Sequence, residues 1–207
     1  MNPLTITGVG PGDPSLLTLA AVEAIQKATV VSYPVATEGG ESIALKIASK
    51  WITKDKKRLP LHFPMTLDKK SLGGAWCNAG KELIRMVEKG ERVVFIAQGD
   101  ISLFSTGSYL AMELERNYPK CQINLIPGVT SFCAAAARSK FPLALREEQL
   151  LIVPLPDSSI RLKSILLEAA ETNRVVVLLK LGHKWRWVKP LLKELNLLEN
   201  SFFAEKV

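Results

Sequence analysis

The chain has 207 residues, of which 47% are hydrophobic and 23% charged, and a formal net charge of +7. This is globular composition, with room for one large or two small domains and none of the bias of a disordered or low-complexity chain. The positive excess admits nucleic acid, an anionic surface or a polyanionic small molecule, and selects none of them.

Residues 4–7 form the first strand-like apolar run, and a glycine-punctuated loop follows: Gly8-Val9-Gly10-Pro11-Gly12-Asp13-Pro14. The spacing fails as a dinucleotide fingerprint, because Asp13 stands where the third glycine would be and would repel a pyrophosphate. Asp13-Pro14 reads instead as a helix N-cap with proline at the first helical position. A loop hostile to phosphates suits a ligand such as S-adenosylmethionine. The competing reading of this loop alone is a tight strand-to-helix turn.

A second strand is predicted over 29–33, then a helix carrying Ile43, Ile47, Ala48 and Trp51 on one face. Lys46, Lys50 and Lys54 fall at i, i+4, i+8 beside that face, as a basic stripe or a solvated edge. Lys56-Lys57-Arg58 reads as surface. Trp76, Gly80, Leu83, Ile84 and Val87 mark another helix, closed by Gly90 as a C-cap. The strand 92–97 leads into Gln98-Gly99-Asp100, and the strand 122–126 into Pro127-Gly128-Val129-Thr130-Ser131 and a helix-like 129–138. Strands 149–155 and 174–180 flank a helix over 159–170, and Phe202–Ala204 offers a possible last strand. Alternating strands and helices predict an α/β fold with buried parallel strands. Three glycine loops at strand C-terminal ends are where such a sheet binds its ligand. The break over 141–148 divides the chain into an N-terminal α/β domain, 1–145, and a smaller C-terminal one, 146–207.

Cys77, Cys121 and Cys133 have neither metal nor redox spacing, and only His62 and His183 accompany them, so no metal site is expected. Isolated cysteines suit a reducing cytosol. Met1-Asn2-Pro3 lacks the features of a signal peptide, and no apolar run reaches membrane-spanning length.

Taken together, GVGPGDPSLLTLAAVEAIQKATVV from Gly8, GDISLFSTGSYL from Gly99 and IPGVTSFCAAAA from Ile126 resemble the tetrapyrrole methylase family of S-adenosylmethionine-dependent enzymes, over nearly the whole chain. Tyr33-Pro34, Gly39-Gly40-Glu41-Ser42, the Phe63-Pro64-Met65-Thr66 segment, Trp76, and Phe104-Ser105-Thr106 with Tyr109-Leu110 are similar to its branch methylating carbon 20 of precorrin-2 or cobalt-factor II. The resemblance implies two α/β domains with the cofactor between them, a small tetrapyrrole substrate, a cytoplasmic homodimer, and neither nucleic acid nor membrane as partner. It implies cofactor contacts from Gly10, Pro11, Gln98, Gly99, Asp100, Leu103, Thr130, Ser131 and Leu181. Capping competes for Asp100, Thr130 and Ser131, and core packing for Leu181.

Lys46, Lys50 and Met65 are expected at the macrocycle, whose eight carboxylates suit a basic trough. Asp100, Tyr33, Glu41 and His62 are the candidates for a base that assists proton loss. Two departures stand out. Ile101 replaces the proline usual in the second loop, and family members continue past the equivalent of Val207, so the second domain is expected to be incomplete. The alternatives are methylation at another macrocycle position, a ribosomal-RNA methyltransferase of the same superfamily, or a cofactor-binding chain without turnover.

Overall fold

The computed structural model describes residues 2–37, 39–66 and 68–205. Packing divides the chain into two units, one running up to Ser131 and the other Phe132–Glu205. The sequence break over 141–148 lies inside the second.

In the first unit, β1 (Leu4–Gly8), β2 (Val30–Val35), β3 (Lys57–His62), β4 (Val93–Ala97) and β5 (Ile123–Ile126) form one sheet of order β3-β2-β4-β1-β5. Every pairing is parallel. The connecting helices are α1 (Leu19–Lys27), α2 (Ile43–Ala48), α3 (Lys69–Glu88) and α4 (Thr106–Asn117). The central strand β4 shows why its run is unbroken by polar residues. Val93, Phe95 and Ala97 enter one core with Leu83, Val87, Leu110 and Leu114 of α3 and α4. Val94 and Ile96 enter the other, with Ile25 of α1 and Ala44, Ile47 and Ala48 of α2. A strand covered on both faces needs an apolar side chain at every position.

The edge strand β3 was not predicted. Its sequence, KRLPLH, opens with the charges read as loose surface, but Leu61 is buried and Leu59 half-buried on the inner face. Lys57 and Arg58 lie on the outermost strand, where charge discourages pairing with other chains, and Pro60 is tolerated for the same reason. Lys56 is not idle surface either: its Nζ donates to the carbonyls of Gln26 and Ala28, both at 2.7 Å, at the C-terminal end of α1. A cation there offsets the negative end of the helix dipole.

The basic stripe is a further correction. The helix carrying Lys46 ends at Ala48, a single 3-10 turn covers Ser49–Trp51, and Lys54 falls in a turn. The three lysines are exposed but do not share one helical face.

The second unit begins with α5 (Ser131–Ser139) as it leaves the first. Strands β6 (Gln149–Pro154) and β7 (Arg174–Leu179) pair in parallel, joined by α6 (Ser159–Glu171), and α7 (Trp185–Glu194) follows. Leu155, Leu162, Leu166, Val188, Leu191 and Leu192 make its core. Among the described residues no strand forms at Phe202–Ala204. Phe203 stacks instead on Trp185, with ring centroids 4.5 Å apart, and remains 44% exposed. An aromatic partner in α7 replaces the ladder that a third strand would have made.

Candidate active site

The three glycine loops of the sequence interlock at the C-terminal edge of the first sheet. Gly10 and Gly99 form an antiparallel bridge: Gly99 N donates to the Gly10 carbonyl at 2.7 Å and Gly10 N to the Gly99 carbonyl at 3.2 Å. Gly8 and Gly128 press against that same Gly99 carbonyl. A Cβ on Gly8 would lie 2.4 Å from its oxygen, and a Cβ on Gly128 2.3 Å. No side chain fits at either position, so glycine here permits backbone-to-backbone packing of three loops. Gln98 adds a latch, its Nε2 donating to the Pro11 carbonyl at 3.0 Å.

Asp100 locks the second loop to the third. Its Oδ2 accepts from Gly128 N at 2.8 Å, and its Oδ1 accepts from Ser102 N at 2.8 Å and from the Ser102 hydroxyl. The side chain is buried, with 8% exposure. Burial pushes its carboxyl up, but the bonds from the Ser102 hydroxyl and from main-chain N–H groups, Gly128 first, outweigh this and hold it below the usual carboxylate range. A carboxylate with both oxygens engaged and its proton affinity lowered is a clamp and a poor base.

The sign of the pH effect follows. An unfolded aspartate titrates near about 3.9, so the clamp contributes its full stability above that value and loses it as pH falls through the lower folded value. Asp100→Asn would set an amide NH₂ against one of these donors and cost about 1–3 kcal/mol at neutral pH. Urea midpoints at pH 7 and pH 3 should show the wild-type advantage over this variant shrinking at the lower pH. An equal gap at both values would remove the clamp.

Ile101, the departure in the second loop, is explained by packing. It is 5% exposed, lies in the core of α3 and α4, and meets Gly107, where a Cβ would be 3.2 Å from its Cγ2. The Ser108 hydroxyl donates to the Ile101 carbonyl, and Ser105 caps α4 by accepting from Gly107 N at 3.1 Å. Burial of an aliphatic side chain thus anchors the turn without the φ restraint of proline.

The first loop follows the sequence reading. Asp13 Oδ1 accepts from Ser15 N at 2.8 Å and Ser15 Oγ at 2.7 Å, capping a 3-10 turn over Pro14–Leu16. Gly99 itself faces open space: its φ is +73, and a Cβ there would meet nothing within 4 Å. The loop cluster is closed around Gly8 and Gly128 and open above Gly99.

Residues 3–207 match the family of Tetrapyrrole (Corrin/Porphyrin) Methylases. The chain belongs to this family. It is 33% identical over 192 residues to the cobalt-precorrin-2 C(20)-methyltransferase of Salmonella typhimurium, covering 92% of this chain and 77% of that one. It is 37% identical over 148 residues to the probable cobalt-precorrin-2 C(20)-methyltransferase of Methanocaldococcus jannaschii, covering 71% of this chain and 61% of the relative. The fold is shared with the uroporphyrin-III C-methyl transferase from Thermus thermophilus solved with S-adenosyl homocysteine. There the TM-score is 0.58 at 21% identity, covering 94% of this chain and 77% of that one.

In this tetrapyrrole methylase the expected site residues separate into groups. Gly10, Pro11, Gln98, Gly99 and Asp100 come together in the loop cluster, joined by Gly8 and Gly128. Leu103 is half-buried three positions after Asp100. Thr130 and Ser131 stand where the third loop enters α5. Leu181 is in the second unit, packed against its core. Of the proposed bases, Tyr33 has its side chain in the core beside Val31 and Val35, with 8% exposure. Glu41 is exposed next to Ser42, the N-cap of α2. His62 is exposed at the end of β3, and its Nε2 lies 2.9 Å from the Ala36 carbonyl. A carbonyl can only accept, so Nε2 is the donor in this contact.

The sequence reading did not single out Gly128 or Ser102 as parts of the site. The glycine was visible as a turn residue, but nothing in one-dimensional spacing shows which carbonyl it must approach.

Proposed function

We propose that this chain transfers the methyl group of S-adenosylmethionine to C-20 of precorrin-2 or its cobalt complex, in cobalamin biosynthesis. The observation that carries this reading is the likeness, at 33% and 37% identity, to two proteins named for that reaction. The loop cluster supports it, since the Cα of Gly99 faces open space and Asp13 disfavours a phosphate ligand.

S-adenosylmethionine supplies an electrophilic methyl on a sulfonium whose leaving group departs neutral. The protein's task is therefore alignment and exclusion of water more than acid–base chemistry. The Gly10–Gly99 bridge, the Gln98 latch and the Asp100 clamp fix the donor loops before anything binds. Gly128 N is committed to Asp100 and the Gly99 N–H and carbonyl to Gly10, so the donor meets the second loop at the open Cα face of Gly99, with Thr130 and Ser131 proposed to join it from the third loop. His62 and Glu41 keep accessible acceptor atoms and are the proposed bases; Asp100 acts by positioning. Met65, 91% exposed, is proposed to contact the macrocycle. Lys46 and Lys50 add to the positive field that draws in a polycarboxylate.

Among the described residues no helix is long and apolar enough to cross a membrane, and no three His, Cys, Asp or Glu side chains are grouped to hold a metal. None of the three cysteines is in a disulfide, which fits a cytoplasmic enzyme, and the same reading makes it a homodimer. The test is direct: precorrin-2 or its cobalt complex, incubated with methyl donor, should gain one CH₂ as a methyl replaces a proton, with demethylated donor formed in equal amount. Donor consumption without a heavier macrocycle would remove the assignment.

A further inference from the structure

We propose that Tyr109, backed by Trp76 and the buried Phe63, presents a rigidly held aromatic ring against which one face of the tetrapyrrole packs, an inference that rests on the substrate class proposed above. The three rings come from three elements and run from core to surface. Phe95, 0% exposed in β4, meets Phe63 edge-on, with centroids 6.4 Å apart at 83°. Phe63, just past β3, lies 4.6 Å from Trp76 of α3, and Trp76 stacks on Tyr109 of α4 at 5.3 Å and 29°. Tyr109 is 57% exposed. An outer ring held through two others by a buried phenylalanine loses little freedom when a ligand covers it.

The platform is tied to the donor loop. Tyr109 follows Ser108, whose hydroxyl bonds the Ile101 carbonyl, and Gly107 packs closely on Ile101, where a Cβ would stand 3.2 Å from its Cγ2. The first turn of α4 is thereby fixed against the loop carrying Gly99 and Asp100. Phe104 and Tyr109 occupy the N′ and N4 positions about the Ser105 cap, the places of a hydrophobic staple. Met112, one turn beyond Tyr109, is 65% exposed, and Met65 stands two residues from Phe63. An exposed aromatic ring and exposed thioethers are apolar surface that water covers poorly. A large conjugated ring matches it, and the macrocycle's peripheral carboxylates suit a chain of net charge +7.

The experiment compares wild type, Tyr109→Ala and Tyr109→Phe. It measures quenching by uroporphyrin III, a stable macrocyclic octacarboxylate, KM for precorrin-2, and calorimetric affinity for S-adenosylhomocysteine. The alanine variant should bind uroporphyrin III about tenfold more weakly and raise KM by a like factor. The phenylalanine variant should behave as wild type, and all three should bind S-adenosylhomocysteine equally. Wild-type macrocycle affinity in Tyr109→Ala, with turnover intact, would overturn the platform and leave the enzyme assignment standing. Equal loss of both ligands, or loss in Tyr109→Phe, would also overturn it. A wild-type chain that binds S-adenosylhomocysteine but neither macrocycle would end both readings.

Discussion

Gly128→Ala should be the most damaging single methyl group that can be added to the first unit. Its Cβ would stand 2.3 Å from the Gly99 carbonyl oxygen and 2.9 Å from the Gly8 carbonyl carbon. Those atoms are main chain, so no rotamer change makes room. The Gly99 oxygen is also held by Gly10 N, and Gly128 N by Asp100. Relief requires the third loop to move as a whole, breaking the clamp, at a cost of about 3 kcal/mol. Gly8→Ala meets the same oxygen at 2.4 Å and should cost a similar amount. Gly74→Ala is the control: that glycine is exposed in α3 with nothing within 4 Å, and alanine should stabilise the helix by up to about 1 kcal/mol. Urea denaturation of the three variants gives the comparison. Gly128→Ala at wild-type stability would mean that the loops are not in contact.

Gly99→Val should leave the secondary structure in place and abolish binding of S-adenosylhomocysteine. The space over Gly99 is empty of protein, so valine creates no internal clash of the kind at Gly128. It would put a branched side chain into that space and force a β-branched residue to φ near +73, where the main chain would shift. Both effects fall on the surface proposed to receive the donor. Calorimetry should show no heat of binding while far-ultraviolet circular dichroism matches wild type. Retained affinity would move the donor site away from the second loop.

Much of the fold was legible in the sequence because burial on both faces writes itself as an unbroken apolar run. β4 was read that way, one residue long at its start. β3 was hidden because an edge strand is apolar on one face only and here opens with Lys57-Arg58 and carries Pro60. α7 was hidden by Pro190, which argues against a helix interior, although Val188, Leu191 and Leu192 face the core at helical spacing. The lysine stripe misled for the opposite reason. Spacing of four is necessary for a shared helical face but does not show that the helix continues, and α2 stops at Ala48.

The site divides in the same way. Glycine loops after apolar runs were visible because conformational freedom is a property of the residue. The role of Asp100 was not visible, because a carboxylate in a loop reads equally as base, cap or ligand. Its partners, Gly128 N and the Ser102 N–H and hydroxyl, settle what it holds together only once the third loop is folded against the second.

Methylation at C-20 and not at another carbon is decided by where the new methyl group lies on the macrocycle. Precorrin-2 and, separately, its cobalt complex should be incubated with the 207-residue chain and S-adenosylmethionine carrying a ¹³C methyl, and each product examined by ¹³C magnetic resonance. A single enriched methyl, bonded to C-20, is expected. An enriched methyl on any other carbon, or labelled donor left intact with both macrocycles, would contradict methylation at C-20.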